Sequence, residues 1–189
     1  MKIKIFYDTI KHIKLSDNSK RGVRSLQKYT ADNIISLLEL KPLEREGGMY
    51  RETYRCKDRL NGRSCGSAIY FLMTRNAFSH LHRMETDEIY HFYMGDPLEL
   101  MEITSHGDVK IHLLGTDLAA GQRPQVVIPG GSWQGSHLAK GGDWVLFSTT
   151  MSPAFIPEDY ENADVEKMKK KHPEHAALID ALTGEIKYR

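Results

Sequence analysis

Between Phe78 and Gly95 the sequence crowds together side chains suited to proton transfer and to metal ligation. His80, His82, Glu85, Asp87, Glu88 and His91 place three imidazoles and three carboxylates within 12 residues, and Tyr90 lies among them. No other segment is comparable. A histidine near neutral pKa beside a carboxylate is a general base, and a nearby tyrosyl hydroxyl is a matching acid. Removal and return of a proton next to a carbonyl needs that pairing, with His82 as base, Glu88 orienting it and Tyr90 as acid. Imidazole and carboxylate are equally the ligands of a divalent cation. His80 and His82, two residues apart, project from one face of a strand, and Glu88 on the next strand meets them across a hairpin. The residues alone leave both chemistries open.

Other residues carry a functional and a structural reading side by side. Arg51, after the Gly47-Gly48 turn, either faces a pocket and holds an anionic ligand or pairs externally with Glu52 or Asp58. Trp133 either stacks on a sugar or nucleobase or plugs the interior of a barrel rim. If Glu88 faces inward, period-2 alternation takes Tyr90 and Phe92 with it and turns His91 and Tyr93 outward. Ser136 beside His137 lacks a third orienting group, so a hydrolytic triad has little support. Cys56 and Cys65, eight apart, match neither a redox pair nor a zinc spacing.

These residues need a scaffold, and the text around them supplies one. From Gly47 to about Met151, short β-rich segments alternate with Gly, Asn, Asp and Pro, as in an all-β sandwich or barrel. The spacing predicts strands at Met49–Arg55, Ser67–Met73, Glu88–Tyr93, Leu98–Thr104, Lys110–Leu114, Gln125–Ile128, Gly135–Leu138 and Asp143–Thr149. Eight strands suit a double-sheet jelly roll or a small barrel, which manages its edges by wrapping around itself. A helix precedes this core, capped by Thr30, carrying Ile34, Ile35, Leu37, Leu38 and Leu40, and stopped by Pro42. Two helices follow it: a Lys-rich one through Val165 and Met168, and one begun by Pro173 and ended by Gly184.

The full chain of 189 residues is 40% hydrophobic and 27% charged, the composition of one globular domain. Its formal net charge of +1 creates no overall field that would recruit nucleic acid or an anionic membrane. No apolar run reaches the roughly 20 residues of a membrane span, and the N-terminus is a poor secretory signal. The expected location is the cytoplasm. Residues 1–28 hold eight basic side chains against two acidic ones, and we read them as a basic N-terminal extension to a domain covering 29–189.

The phrase His80-x-His82, then Glu88 and six residues later Gly95, resembles the first motif of the cupin superfamily. Five residues separate His82 from Glu88, where cupins usually have three or four. The second motif, Pro-x-Gly-x-x-His, appears as Pro129-Gly130-Gly131-Ser132-Trp133-Gln134, with Gln134 where the last metal-binding His belongs. Glu46-Gly-Gly-Met-Tyr-Arg51-Glu52-Thr-Tyr54, Asp87-Glu88-Ile-Tyr90-His91-Phe-Tyr, Gly95-Asp96-Pro97-Leu98 and Ser152-Pro-Ala-Phe155 resemble one branch, Cupin_5, over roughly residues 30–183. The resemblance implies a double-stranded β-helix with flanking helices, a homodimer, and kinship with dTDP-sugar 3,5-epimerase-like jelly rolls. It implies a pocket for a small polar metabolite such as a sugar or nucleotide-sugar, with Arg51, His80, Gln134 and Trp133 binding it. Three functions follow from it. One is a metal-independent isomerase or epimerase acting on a carbohydrate-like metabolite. The second is a noncatalytic ligand-binding or sensing module. The third is a metal-dependent dioxygenase or isomerase using His80, His82 and Glu88. Because a carboxamide is a weak donor for Fe, Mn or Zn, the metal-free reading is preferred and no cofactor is expected.

Overall fold

The computed structural model describes residues 29–188; the basic segment 1–28 lies outside the described residues. It opens with helix α1, Ala31–Leu38, capped reciprocally by Thr30 and Asn33. Glu39, in the left-handed region at φ 53°, ends it before Leu40. The strands are β1 (Lys41–Pro42), β2 (Met49–Arg55), β3 (Arg59–Leu60), β4 (Arg63–Ser64), β5 (Ser67–Thr74), β6 (Phe78–Arg83) and β7 (Glu88–Gly95). They continue with β8 (Leu98–Ile103), β9 (Val109–Leu114), β10 (Gln125–Ile128), β11 (Trp133–Leu138), β12 (Trp144–Met151) and β13 (Glu161–Asn162). Helices α2 (Val165–Lys171) and α3 (Ala176–Ala181) close the described chain.

Two antiparallel sheets face each other. One has the order β1-β2-β5-β12-β7-β10 and the other β13-β6-β11-β8-β9, while β3 and β4 form a separate hairpin. This is a jelly roll with flanking helices, the fold class read from the sequence. Phe71, Met73, Tyr90, Leu98, Leu100, Leu114, Val126, Ile128, Val145 and Phe147 fill the space between the sheets. The alternate residues of the same strands face out and are covered by helices. Ile34 and Ile35 of α1 sit on Leu72 and Leu146. Met168 of α2, with Ile179 and Leu182 from α3 and its end, packs on Leu81, Met101 and Ile103. Period-2 alternation thus buries both faces of the central strands, which is why they read as nearly continuous apolar runs.

β6 and β7 belong to different sheets, so His82 and Glu88 meet across the sandwich rather than across a hairpin. The link between them, residues 84–87, crosses from one sheet to the other at the rim. The segment after β12 then folds back over the same end. Arg63 of the small hairpin bonds the Ala154 carbonyl and pairs with the buried Asp159 carboxylate, and Phe155 N–H donates to Ser67 Oγ. This strap carries Phe155, Ile156, Pro157 and Tyr160 to the barrel mouth. Replacing Arg63 by Met leaves Asp159 buried and unpaired, so the expected loss is about 3 kcal/mol in denaturant unfolding. Asp159→Asn in the same background is expected to recover part of it.

Candidate functional site

A cavity of about 520 Å³ opens at the end of the barrel beneath the strap. His82, Glu88, Glu46 and Thr149 line its inner part, and Tyr50, Ile69, Met84, Met151, Phe155 and Ile156 form apolar walls. Lys41, Glu52 and Arg55 also line it.

Beneath the lining runs a polar network that joins the two sheets. Gln134 on β11 donates from Nε2 to Glu88 Oε2 at 2.7 Å and to His82 Nε2 at 3.3 Å. Its Oε1 accepts from the Tyr90 hydroxyl at 3.1 Å. His82 Nδ1 in turn donates to the His80 carbonyl at 2.6 Å, which fixes the tautomer that leaves Nε2 as an acceptor. Both nitrogens of His82 are therefore engaged. His82, Gln134 and Tyr90 are each 1% exposed and Glu88 8%. Burial holds the His82 imidazole below its ordinary pKa, outweighing the opposing pull of Glu88. Burial also pushes the Tyr90 hydroxyl far up.

Glu46 completes the inner wall. Gly47 and Gly48 follow it at φ 100° and 67°, and a Cβ on Gly47 would lie 2.3 Å from the Phe78 carbonyl oxygen. Only glycine permits that approach. It lets the Glu46 carbonyl accept from His80 N–H at 2.7 Å and its Oε1 accept from Ser79 Oγ at 2.6 Å. Desolvation pushes the Glu46 carboxyl up to about 7, against the lowering effect of Ser79. Burial raises Glu88 too, and the nearby Glu46 charge raises it further, while His82, Thr149 and Gln134 oppose. Tyr160 from the strap stacks on His82, with centroids 4.8 Å apart and planes at 17°. Its hydroxyl lies 3.1 Å from both the Arg45 carbonyl oxygen and Asn162 Oδ1.

The structure thus brings together His82, Glu88, Tyr90 and Gln134 and leaves out three residues expected beside them. His80 is displaced by a bulge: the β6–β11 register shifts between Gln134 and Ser136, so His82 pairs with Gln134 but Ser79 pairs with Ser136. One extra residue breaks the i, i+2 rule, and the His80 ring ends near Phe78 with Nδ1 facing the Leu81 carbonyl. Arg51 points outward because its neighbour Tyr50 takes the inward position; it pairs with Glu39 and lies against the Tyr70 ring. Trp133 alternates with inward Gln134, so it packs among residues of the helix-covered face, under the Arg83 guanidinium. His91 faces outward as expected, Nε2 against Thr150 Oγ1 at 2.9 Å. Glu46, Thr149 and Tyr160 carry no role in the sequence reading. An acid immediately before Gly-Gly was the available signal for Glu46; the other two have none.

A metal ion does not fit these residues. His82 Nε2 and Glu88 Oε2 already accept from the Gln134 amide, and His80 is turned away. Among the described residues no group of three or more His, Cys, Asp or Glu side chains converges to hold a cation.

The sequence profile of Cupin_5, described as Cupin superfamily (DUF985), matches residues 32–163. A crystal structure of a Shewanella oneidensis protein is similar at 35% identity and TM-score 0.77, covering 83% of this chain and 99% of that one. A hypothetical protein from Leishmania major is similar at 30% identity and TM-score 0.77, with coverages of 83% and 100%. Oxalate decarboxylase from Bacillus subtilis shares the fold alone, at 16% identity and TM-score 0.50, covering 78% of this chain and 37% of that one. No protein of curated function matched. No helix among the described residues is long and apolar enough to cross a membrane.

Two outcomes are expected. A carboxyl whose native pKa is raised binds its proton more tightly folded than unfolded, so stability is unaffected below pH 4 and falls as pH rises through about 7. The full Glu46 shift is worth ~3 kcal/mol, and partial solvent access reduces this to about 2. Chemical denaturation at pH 5 and pH 8.5 is expected to show that loss in the wild type and a smaller one in Glu46→Gln. Separately, Gln134→His exchanges the amide donor for a second imidazole beside His82 and Glu88. Titration calorimetry with Ni²⁺ is expected to show binding about 100-fold tighter than in the wild type.

Proposed function

The chain belongs to the Cupin_5 family of the cupin superfamily, and from that premise we propose that it binds a small carbohydrate-like metabolite and isomerises or epimerises it without a metal. Small-molecule binding accords with the fold and with a lined cavity at its mouth. The finer reading is supported by one observation: two carboxylates of unequal burial, Glu46 and Glu88, face the same cavity with both acidities weakened.

Such a pair titrates as a unit and holds one proton near neutral pH. In this reading Glu88, the more enclosed of the two, carries the proton and Glu46, which also lines the outer chamber, is the carboxylate. In the proposed step the Glu46 carboxylate removes the proton on the carbon next to a substrate carbonyl, and Glu88 donates its proton to the carbonyl oxygen. The C–H electron pair becomes the C=C bond of a neutral enediol. Reversal from the other face or the other carbon returns an epimer or an isomer, with no net change in oxidation state. His82 and Tyr90 act through Gln134 here: they orient its amide, and the amide holds Glu88. This moves the base from His82, whose nitrogens are both occupied, to Glu46.

The test is exchange of substrate C–H for deuterium in D₂O across a panel of ketoses and aldoses, followed by NMR. Exchange is expected to rise with pH through about 7 as Glu46 ionises. Glu46→Gln and Glu88→Gln are each expected to slow it by about 100-fold or more. Saturable binding with no exchange in any sugar would assign the cavity to a sensing module instead.

A further inference from the structure

The segment after α3, residues 182–188, joins neither sheet, yet it runs back to the turn that carries Glu46. That turn, residues 43–48, is closed on itself: Leu43 N–H donates to the Gly48 carbonyl at 3.1 Å, and Gly47 N–H to the Leu43 carbonyl at 2.8 Å. Among the described residues two main-chain bonds tie it to other elements. On one side His80 N–H of β6 donates to the Glu46 carbonyl at 2.7 Å, and on the other Gly48 N–H donates to the Lys187 carbonyl at 3.1 Å. A Cβ on Gly47 would meet both flanks, the Phe78 carbonyl oxygen at 2.3 Å and the Lys187 carbonyl oxygen at 3.2 Å. The turn is therefore held in a slot between β6 and residues 182–188.

This segment is anchored at both of its ends. Leu182 is fully buried, and its carbonyl accepts from Leu81 N–H of β6 at 2.7 Å. At the other end the Tyr188 ring packs against the apolar cluster that holds Leu40 and Met49, the residues just before β1 and just after Gly48. Between the anchors Gly184, Glu185 and Lys187 are exposed, so the stretch buries little surface of its own. Neither Lys187 nor Tyr188 lines the cavity, so neither reaches an occupant directly.

We propose that residues 182–188 are a positioning element for the site: the Lys187 carbonyl and the Tyr188 ring hold the Gly47-Gly48 turn against β6 and so keep the Glu46 carboxyl in the cavity wall. The assignment rests on the reading of Glu46 as the base. The titratable and charged groups facing Glu46 come from β7 (Glu88, Tyr90), β6 (His82), the strap (Tyr160) and its own segment (Lys41, Glu44, Arg45). None belongs to residues 182–188, which act by holding the turn rather than by charge. Loss of the brace admits water to Glu46, and a better solvated carboxyl ionises at lower pH.

The experiment follows the Glu46 carboxyl by ¹³C NMR across its titration, with Glu46→Gln identifying the resonance, and deuterium exchange into the sugar panel over the same pH range. Truncation after Ile186 removes the Lys187 carbonyl and the Tyr188 ring together, Lys187→Ala keeps both, and Tyr188→Phe keeps the ring. The midpoint is expected to fall from about 7 in the full chain to about 6 or below in the truncated one, and to stay unchanged in Lys187→Ala and Tyr188→Phe. If the truncated chain does not fold, Tyr188→Ala carries the test, with a fall in the same direction expected. An unchanged midpoint in the folded variant, or an equal fall in Lys187→Ala, would overturn the proposal. The carboxyl titration needs no turnover, so failure of the acid–base reading shows separately: a midpoint obeying these rules with no deuterium exchange removes the chemistry and leaves the brace. Exchange that depends on Glu46 and keeps its pH profile after truncation does the reverse.

Discussion

The carboxamide of Gln134 is the constraint around which the barrel mouth is arranged. It reaches two partners on one sheet, Glu88 and Tyr90, and one on its own, His82. All three are buried, at 8% exposure or less, so the bonds stand in for those to water. A buried polar group left unmade costs about 1–3 kcal/mol, whereas a made bond nets about 1. The network therefore contributes less by its strength than by the penalty on every alternative geometry. It fixes the separation of the two sheets at this level and prescribes the tautomer of His82. It also leaves only part of the Glu88 carboxylate to face the cavity.

The rest of the cavity is brought to that floor by segments outside the two sheets. The Gly47-Gly48 pair drops the chain against β6, which places Glu46 beside Ser79. The strap after β12, held by Arg63 and Asp159, lays Tyr160 on His82 from the other side. Both segments converge on one another, because the Tyr160 hydroxyl meets the Arg45 carbonyl. The enclosure that weakens the acidity of Glu46 is thus a joint product of two loops and one barrel rim. Displacing the strap is expected to move the Glu46 pKa back toward that of an exposed carboxylate without touching Glu46 itself.

Most of the scaffold was legible because alternation and turn residues act locally. Met49–Arg55 and Gln125–Ile128 match their strands to the residue, and the inward set Glu88, Tyr90 and Phe92 follows from period 2 alone. The same rule fails for His80, because a bulge inserts one residue into β6, and nothing in Phe-Ser-His-Leu-His-Arg announces it. Gly135, opposite the bulge, is the only trace; a Cβ there would lie 3.2 Å from Leu81 Cα and from the Ser79 carbonyl oxygen. The chemistry of Arg51 and Trp133 leaves a pocket and a structural role equally open, and the register of Tyr50 and Gln134 decides their faces. Tyr160 and Thr149 enter the site through tertiary closure between residues far apart in sequence, which no local pattern encodes.

Two carboxylates that line one cavity are a standing cost to folding, since burial disfavours ionisation of both and the Glu46 charge adds to this at Glu88. A sequence selected for stability alone would replace one of them with Gln or Leu at little geometric expense. Nor does either carboxylate serve as an internal ion-pair partner: Glu46 is bonded by a hydroxyl, and Glu88 by an amide. Their neighbours are neutral donors, which hold the groups in place while leaving their protonation adjustable. Arginine or lysine in the same positions would have fixed both carboxylates as permanent anions. The arrangement keeps a proton available close to neutral pH at the end of a cavity large enough for a small metabolite. That combination has a physical rationale as machinery for moving protons and none as packing.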